Sequence, residues 1–415
     1  MSQEGEVNDI PLLSTSSPTQ DTEGIKSEGS SDGGVFLLLI NTTIGSGTLL
    51  IPYCFQCGLS LVLIVSFIMA LVALWSLWML IEAGTATRVY DYPGLFSVTF
   101  GQKYKWIMDL WIVLVLFGTI IIYVLWVGRL MKHIISISGS IFNKPSFWNF
   151  SSALFLIFPL TIFRSMKKLE SWSGVALFFI IWLIIFALYW FIKGISDEGF
   201  HSEKIVYYHV GKQLISTFGI QSMAYDCHCN VFQALSLYKN PTREKSRKIT
   251  SIVVVASFVM YNAFGLFVYL HLFDKLGAGA ALEYYPLGNW FTKLTILGVI
   301  FILILGAPMM VFPTRNSLLG LFNIQNPSTF IWNLFGVILV FGATCIASLS
   351  NNIVFFFDLV GGLMTPGFVF TLPAIFYLKH CKEIKWTGYL ISAFVIISSI
   401  AATIACTYQV LKGTS

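Results

Sequence analysis

Eleven apolar runs, each near the length of about 20 helical residues that a bilayer requires, follow one another between Val35 and Val410. They lie near residues 35–55, 59–82, 106–128, 147–163, 172–192, 210–237, 249–271, 291–313, 328–349, 353–378 and 388–410. The runs are near-continuous rather than alternating. A β-barrel is therefore excluded, and helices, which satisfy their own backbone, are the spanning elements. Only 11% of the 415 residues are charged, less than half of the ~25% that lets a soluble domain cover its surface. An all-α integral membrane protein with eleven transmembrane helices is expected.

Residues 1–34 are rich in Ser, Gly, Glu and Asp, with Lys26 their single basic residue. Such a segment has too little to bury and reads as a disordered cytosolic tail. The first apolar run begins only at Val35, so no cleavable signal peptide is expected. Basic residues set the orientation of the rest, residues 35–411. With the N-terminus inside, the inner segments carry 16 of the 25 Lys and Arg, among them Arg88, Arg164, the run from Lys239 to Lys248, Arg315 and Lys379, and the outer side keeps 9. A multi-pass protein with a cytosolic N-terminus and a non-cytosolic C-terminus follows. Its net charge of +5 is scattered over short loops and forms no basic stripe, which excludes nucleic acid as a partner. The surroundings are the lipid bilayer, and a monomer is expected.

Two runs contain residues that hydrocarbon does not favour. In the first, Asn41-Thr42-Thr43-Ile44-Gly45-Ser46-Gly47 is followed by Pro52, and glycine and proline there weaken a helix. An opened backbone inside a membrane is tolerated where it lines a polar cavity or is buried in protein. It then offers free N–H and C=O groups whose partial charges suit a carboxylate and a cation. The alternative, a small-residue packing face, fits less well, because Gly45 and Gly47 are two residues apart and point in different directions. In the sixth run, Gln221-Ser222-Met223-Ala224-Tyr225-Asp226-Cys227-His228 places a carboxylate and an imidazole at depth. These cost several kcal/mol unless they face a cavity or each other. A structural His228, bonded to a neighbouring carbonyl, is the plainer alternative.

The interrupted runs are five apart. If 35–193 and 210–378 are inverted repeats of five spans each, the breaks occupy corresponding positions, as expected of a midplane substrate site, and 388–410 is an added eleventh helix.

At these residues the chain resembles the amino acid/auxin permease family, with its vacuolar-type and sodium-coupled members, within the amino acid, polyamine and organocation superfamily. Asn41 to Tyr53 is similar to its first-span signature, and Cys227-His228 with Asn240-Pro241-Thr242-Arg243 to its sixth span and following loop. Phe312-Pro313-Thr314-Arg315, Val360-Gly361-Gly362 and Leu372 to Lys379 continue the likeness. The resemblance implies the LeuT-like fold and secondary transport of amino acids. It places a substrate carboxylate at Thr43, Ile44, Gly45, Ser46 and Gly47, and a substrate ammonium near Ser222, Met223, Ala224 and Tyr225.

Sodium-coupled members resemble one another in an Asn on span 1 and hydroxyl residues on span 8. Asn41 is present here, but Phe301 to Ala307 carries no hydroxyl ahead of Pro308. Sodium needs several hard oxygen ligands, and only carbonyls near Gly306 could substitute. Proton coupling is therefore favoured, with Asp226 and His228 as its leading groups and sodium as the alternative. Asp358, about a turn from the outer end, is the next candidate or an interface contact. Glu82 and Asp109 read as boundary residues, and Arg315 as an inner-interface anchor.

The seven cysteines read as apolar fillers; Cys54-x-x-Cys57 lacks a second pair, so no metal site is assigned and no cofactor is called for. The scattered histidines offer no clustered catalytic group, so no catalytic residue is assigned and an enzyme is disfavoured. A transporter-like amino acid sensor is the competing class. Asn149-Phe150-Ser151 matches a glycosylation acceptor at the mouth of span 4. Asp9-Ile-Pro-Leu12-Leu13 resembles an acidic dileucine sorting signal, pointing to a vacuolar or lysosomal membrane, with the plasma membrane as the alternative.

Overall fold

The computed structural model describes residues 31–135, 141–162, 167–238, 242–277, 281–350, 352–382 and 384–412. The tail to residue 30, its dileucine motif, Arg164 and Lys239 lie outside them. The architecture is all-helical. Helix α1 (Asp32–Thr43) is capped by Ser31, whose hydroxyl accepts from the amide of Gly34. It ends at Thr43 and is followed by a 3-10 turn, Ser46–Leu50, which enters the short α2 (Ile51–Cys54). Helix α3 (Leu59–Thr87) runs back, and α4 (Tyr92–Phe100) lies between it and α5 (Lys105–Ile134).

Helix α6 (Pro145–Ser152) passes through a π-turn, Ala153–Ile157, into α7 (Phe158–Thr161). Helix α8 (Lys167–Glu198) completes the first half. The second half opens with α9 (Lys212–Ala224) and α10 (His228–Leu235), separated by Tyr225, Asp226 and Cys227. Helices α11 (Arg243–Leu272), α12 (Trp290–Leu321) and α13 (Thr329–Leu349) follow. The span Ile353–His380 combines α14 (Ile353–Phe357), π-turns at Asp358–Met364 and Gly367–Thr371, and α15 (Leu372–His380). Helix α16 (Trp386–Leu411) is last.

Among the described residues, eight helices are long and apolar enough to cross a membrane, or nine if Asp32–Thr43 and Ser46–Cys57, bent by 46°, count as one span. The expected count of eleven is not reached by length and composition alone. The run near 147–163 forms residues 145–161, whose α-helical ladder is interrupted by a π-turn, and the run near 210–237 is divided into helices of 13 and 8 residues.

Burial sorts the helices into an inner and an outer set. The apolar windows of α5, α12 and Ile353–His380 are 72%, 78% and 72% buried, whereas α16 is 28% buried and therefore peripheral. Its exposed Leu390, Phe394, Ile397, Ile400 and Ile404 recur at helical spacing, a face suited to acyl chains.

One connection ties the halves together. The segment before α9 lies along the turn between α2 and α3, where the amides of Leu59 and Ser60 donate to the carbonyls of Val206 and Tyr207, and that of His209 to Cys57, over 2.8–3.1 Å. Gly58, at φ +99°, makes that turn; a Cβ there would lie 2.5 Å from the amide nitrogen of Tyr208.

Arg315 is not an interfacial anchor. It is 1% exposed, donates to the carbonyl of Thr161 at 2.9 Å, and lies 4.4 Å over the ring of Trp332. The last carbonyls of a helix lack partners within it, so a guanidinium finds an acceptor at the end of α7 and an aromatic face beside it. Glu82, by contrast, is paired with two arginines, Arg243 at 2.6 Å and Arg247 at 3.4 Å.

Candidate functional site

The ends of α1 and α9 meet at Tyr261 of α11. Its hydroxyl lies 2.7 Å from the carbonyl of Thr43 and 2.7 Å from that of Ala224, the final residues of the two helices. One hydroxyl proton serves both acceptors, holding the helix ends together. The Tyr261 ring meets Tyr225 edge-on at 5.5 Å, and the Tyr225 hydroxyl lies 3.1 Å from Ser66 Oγ, which also accepts from Asn262 at 2.9 Å.

Glycine is required on the α1 side because two neighbours approach the bare backbone. A Cβ on Gly45 would be 2.1 Å from the Tyr123 hydroxyl, and one on Gly47 would be 3.1 Å from Ala224 Cα. Tyr123 of α5 therefore stands over Gly45. Its ring also packs on Gly306 of α12, where a Cβ would lie 2.7 Å away. Ser46 is buried, and Ile44 closes α1 by donating its amide to Ile40 at 2.7 Å. The amides that open the following 3-10 turn have no partner inside it, as at any helix start. Beside them, Ile44, Gly45, Thr48, Ile180 and Leu303 border a space of about 10 Å³, close to one water molecule.

On the α9 side, Ser222 and Met223 are buried in the last turn. Both polar atoms of the Gln221 side chain and the Ser222 hydroxyl are buried without hydrogen-bond partners among the described residues. Buried polar groups are ordinarily paired, so this stretch carries polarity that the helix packing does not absorb.

Asp226 and His228 do come together. Asp226 Oδ1 accepts from the His228 amide at 3.0 Å and lies 3.5 Å from its ring Nδ1. The carboxylate thus caps the start of α10, a favourable place for negative charge. His228 Nε2 is 2.8 Å from Ser76 Oγ, whose proton goes to the carbonyl of Ala73 at 2.9 Å. Nε2 then carries a hydrogen, and Nδ1, beside the Asp226 carboxylate, is the ring nitrogen left to take up or lack a second one.

Asn41 turns away from the break. Its Nδ2 is 3.4 Å from Ser173 Oγ and 3.6 Å from Met309 Sδ, while Oδ1 has no hydrogen-bond partner among the described residues. No group of three or more His, Cys, Asp or Glu there is placed to hold a metal ion.

This arrangement has counterparts. Residues 28–412 match the family described as transmembrane amino acid transporter protein. The chain belongs to that family.

Solute carrier family 38 member 10 of Homo sapiens is 24% identical over 408 residues, covering 92% of this chain and 35% of that protein. A Xenopus laevis protein whose name carries the words sodium-coupled neutral amino acid transporter 10 is 24% identical over 404 residues, covering 92% of this chain and 38% of its own. The chain thus spans little more than a third of the length of these family members.

Among solved structures, MhsT in complex with L-phenylalanine aligns with a TM-score of 0.58 at 12% identity, covering 94% of this chain and all of that one. The Eremococcus coleocola manganese transporter aligns at 0.54 and 12% identity, covering 97% and 92%. The fold is thereby LeuT-like.

Tyr261 and Tyr123 did not stand out in the sequence. Each is one tyrosine in a long apolar run, and its role rests on partners far away in the chain. A weak signal existed for Tyr123, placed mid-span between Ile122 and Val124. The acceptor of the glycosylation motif is buried: Asn149 is 1% exposed, with Nδ2 3.4 Å from the Ala347 carbonyl.

Proposed function

We propose that the chain carries neutral amino acids across a membrane as a proton-coupled secondary transporter, alternating access around the interruptions at Thr43–Ser46 and Ala224–His228. The reading takes 35–193 and 210–378 as inverted five-helix repeats with α16 added, eleven spans in all, a cytosolic N-terminus and a vacuolar, lysosomal or plasma membrane. It treats one chain as the working unit.

The observation that carries it is the meeting of two helix ends under Tyr261, with amides of the Ser46 turn and the unpartnered polar atoms of Gln221 and Ser222 close by. A zwitterion matches that polarity: its carboxylate suits N–H groups at a helix start, and its ammonium suits carbonyls at a helix end. Thr43, Ile44, Gly45, Ser46 and Gly47 serve the first, and Ser222, Met223, Ala224 and Tyr225 the second. The family and the name of the Xenopus laevis relative support this cargo.

A sodium-coupled symporter is the second reading, favoured by the unpartnered Oδ1 of Asn41 near Ser173 and by the name of the Xenopus laevis relative. Against it, the next neighbour of Asn41 is the soft sulfur of Met309, and Gly306 is covered by Tyr123. Purified protein in vesicles with imposed gradients and a panel of amino acids tests both. Accumulation driven by a pH gradient without sodium is expected. Strict sodium dependence with no pH response overturns proton coupling, and ligand binding without net flux overturns transport in favour of a sensor.

A further inference from the structure

Asp358 is the most deeply sealed carboxylate in the described chain. It opens the π-turn Asp358–Met364, is 0% exposed, and is therefore not the interface contact its place near a span end suggested. Oδ2 accepts from Ser216 Oγ of α9 at 3.1 Å and from Gln409 Nε2 of α16 at 3.2 Å, and Gln409 Nε2 also donates to Ser216 Oγ at 2.7 Å. Oδ1 is buried with no hydrogen-bond partner among the described residues. The titratable groups that face it are Tyr53 and Cys54, from the segment after the first break, and Cys406 of α16. All are neutral acids, and among the described residues no Lys, Arg or His forms an ion pair with Asp358.

An ionised carboxylate enclosed without a cation is strongly penalised, because its desolvation is not repaid by an opposite charge. Two hydroxyl or amide donors on one oxygen leave the other bare. A proton on Oδ1 removes the charge and leaves Oδ2 free to accept both bonds.

We propose that Asp358 is the proton-binding site that couples flux to a pH gradient, loaded when α9, α14–α15 and α16 close over it. The step adds one proton to the carboxylate from water on the open side and returns it when the enclosure reopens; no other bond changes. The proposal rests on the proton-coupled reading above and replaces Asp226 and His228 as its carriers, since Asp226 caps α10 and His228 Nε2 is committed to Ser76. The link to the substrate site is short and rigid. A Cβ on Gly361 in the same π-turn would lie 2.3 Å from the carbonyl oxygen of Gly219, so the two backbones touch. Gly219 stands in α9, whose last residue is Ala224, held by Tyr261. A change in packing around Asp358 reaches the interrupted helix through main chain, without flexible side chains between.

The test compares full-length wild type and Asp358→Asn in vesicles, by pH-gradient-driven accumulation of a neutral amino acid and by counterflow exchange of the same solute at equal pH. Accumulation by the variant should fall to the level of empty vesicles while exchange persists. Wild-type-like accumulation by Asp358→Asn overturns the proposal. If the wild type itself ignores the pH gradient, the proton-coupled reading fails and this proposal with it. If Asp358→Asn does not reach the membrane, Gln409→Leu decides: removing a donor to the carboxylate favours its protonated form, so the midpoint of the uptake–pH profile should move to higher pH. An unmoved midpoint with intact uptake overturns the assignment.

Discussion

Replacing Tyr261 with Phe isolates one hydroxyl at the junction of the two interrupted helices. The ring stays, and with it the edge-on contact to Tyr225 at 5.5 Å, so packing is preserved. What is lost is the proton shared between the carbonyls of Thr43 and Ala224, each 2.7 Å away. Thr43 keeps a second donor, the Gly45 amide at 3.0 Å, so the loss falls chiefly on Ala224. A buried acceptor left without its donor costs about 1–3 kcal/mol, which moves an equilibrium by about 5- to 150-fold. The arrangement in which both helix ends are joined should become rarer by that factor. Hydrogen exchange in lipid nanodiscs reads it directly: amides of residues 44–48 and 225–228 should exchange faster in Tyr261→Phe, while those of α5 and α12 keep wild-type rates. Binding of a neutral amino acid should weaken in parallel. Wild-type exchange at both breaks would refute the idea that this hydroxyl holds them together.

Further outcomes follow from the same contacts. Gly45→Ala should lose uptake while still inserting, because its Cβ meets the Tyr123 hydroxyl at 2.1 Å; adding Tyr123→Phe, which deletes that oxygen, should recover part of it, and a double mutant no better than Gly45→Ala contradicts the steric account. Arg315→Leu withdraws a guanidinium from the Thr161 carbonyl and the Trp332 face, about 3 kcal/mol or more of stability, so melting in detergent should fall clearly; an unchanged melting temperature refutes it. Glycosidase treatment should produce no mass shift attributable to Asn149, whose side chain is enclosed against Ala347, and a shift abolished by Asn149→Gln would show that the mouth of α6 opens.

Membrane class and family were legible because their signals are local. Apolar runs near 59–82 and 291–313 fall within Leu59–Thr87 and Trp290–Leu321, and the ordered motifs from Asn41 to Lys379 pointed to the family that residues 28–412 match. Partners across the bundle were not legible. Tyr261 reaches Thr43 over 218 residues and Asn41 reaches Met309 over 268, and no periodicity encodes which face of one helix meets another. Charge near a span end misplaced Arg315, read as an interface anchor, and left Asp358 open between a coupling group and an interface contact, yet each found hydrogen-bond partners inside the protein: the Thr161 carbonyl, and Ser216 with Gln409. A sequence lists ionisable groups but not the acceptors and donors that a fold turns toward them.

The strap of residues 206–209 meets the turn at Gly58 through main chain, and the Tyr269 hydroxyl of α11 accepts from the Val206 amide at 3.0 Å behind it. Tyr207 and Tyr208 point outward, 57% and 69% exposed, so mutation can repaint that rim without loosening the grip. It also welds the tail of the first broken helix, the head of α3 and the head of α9 into a single moving part. Whichever way the mouth at that end swings, these three must travel as one.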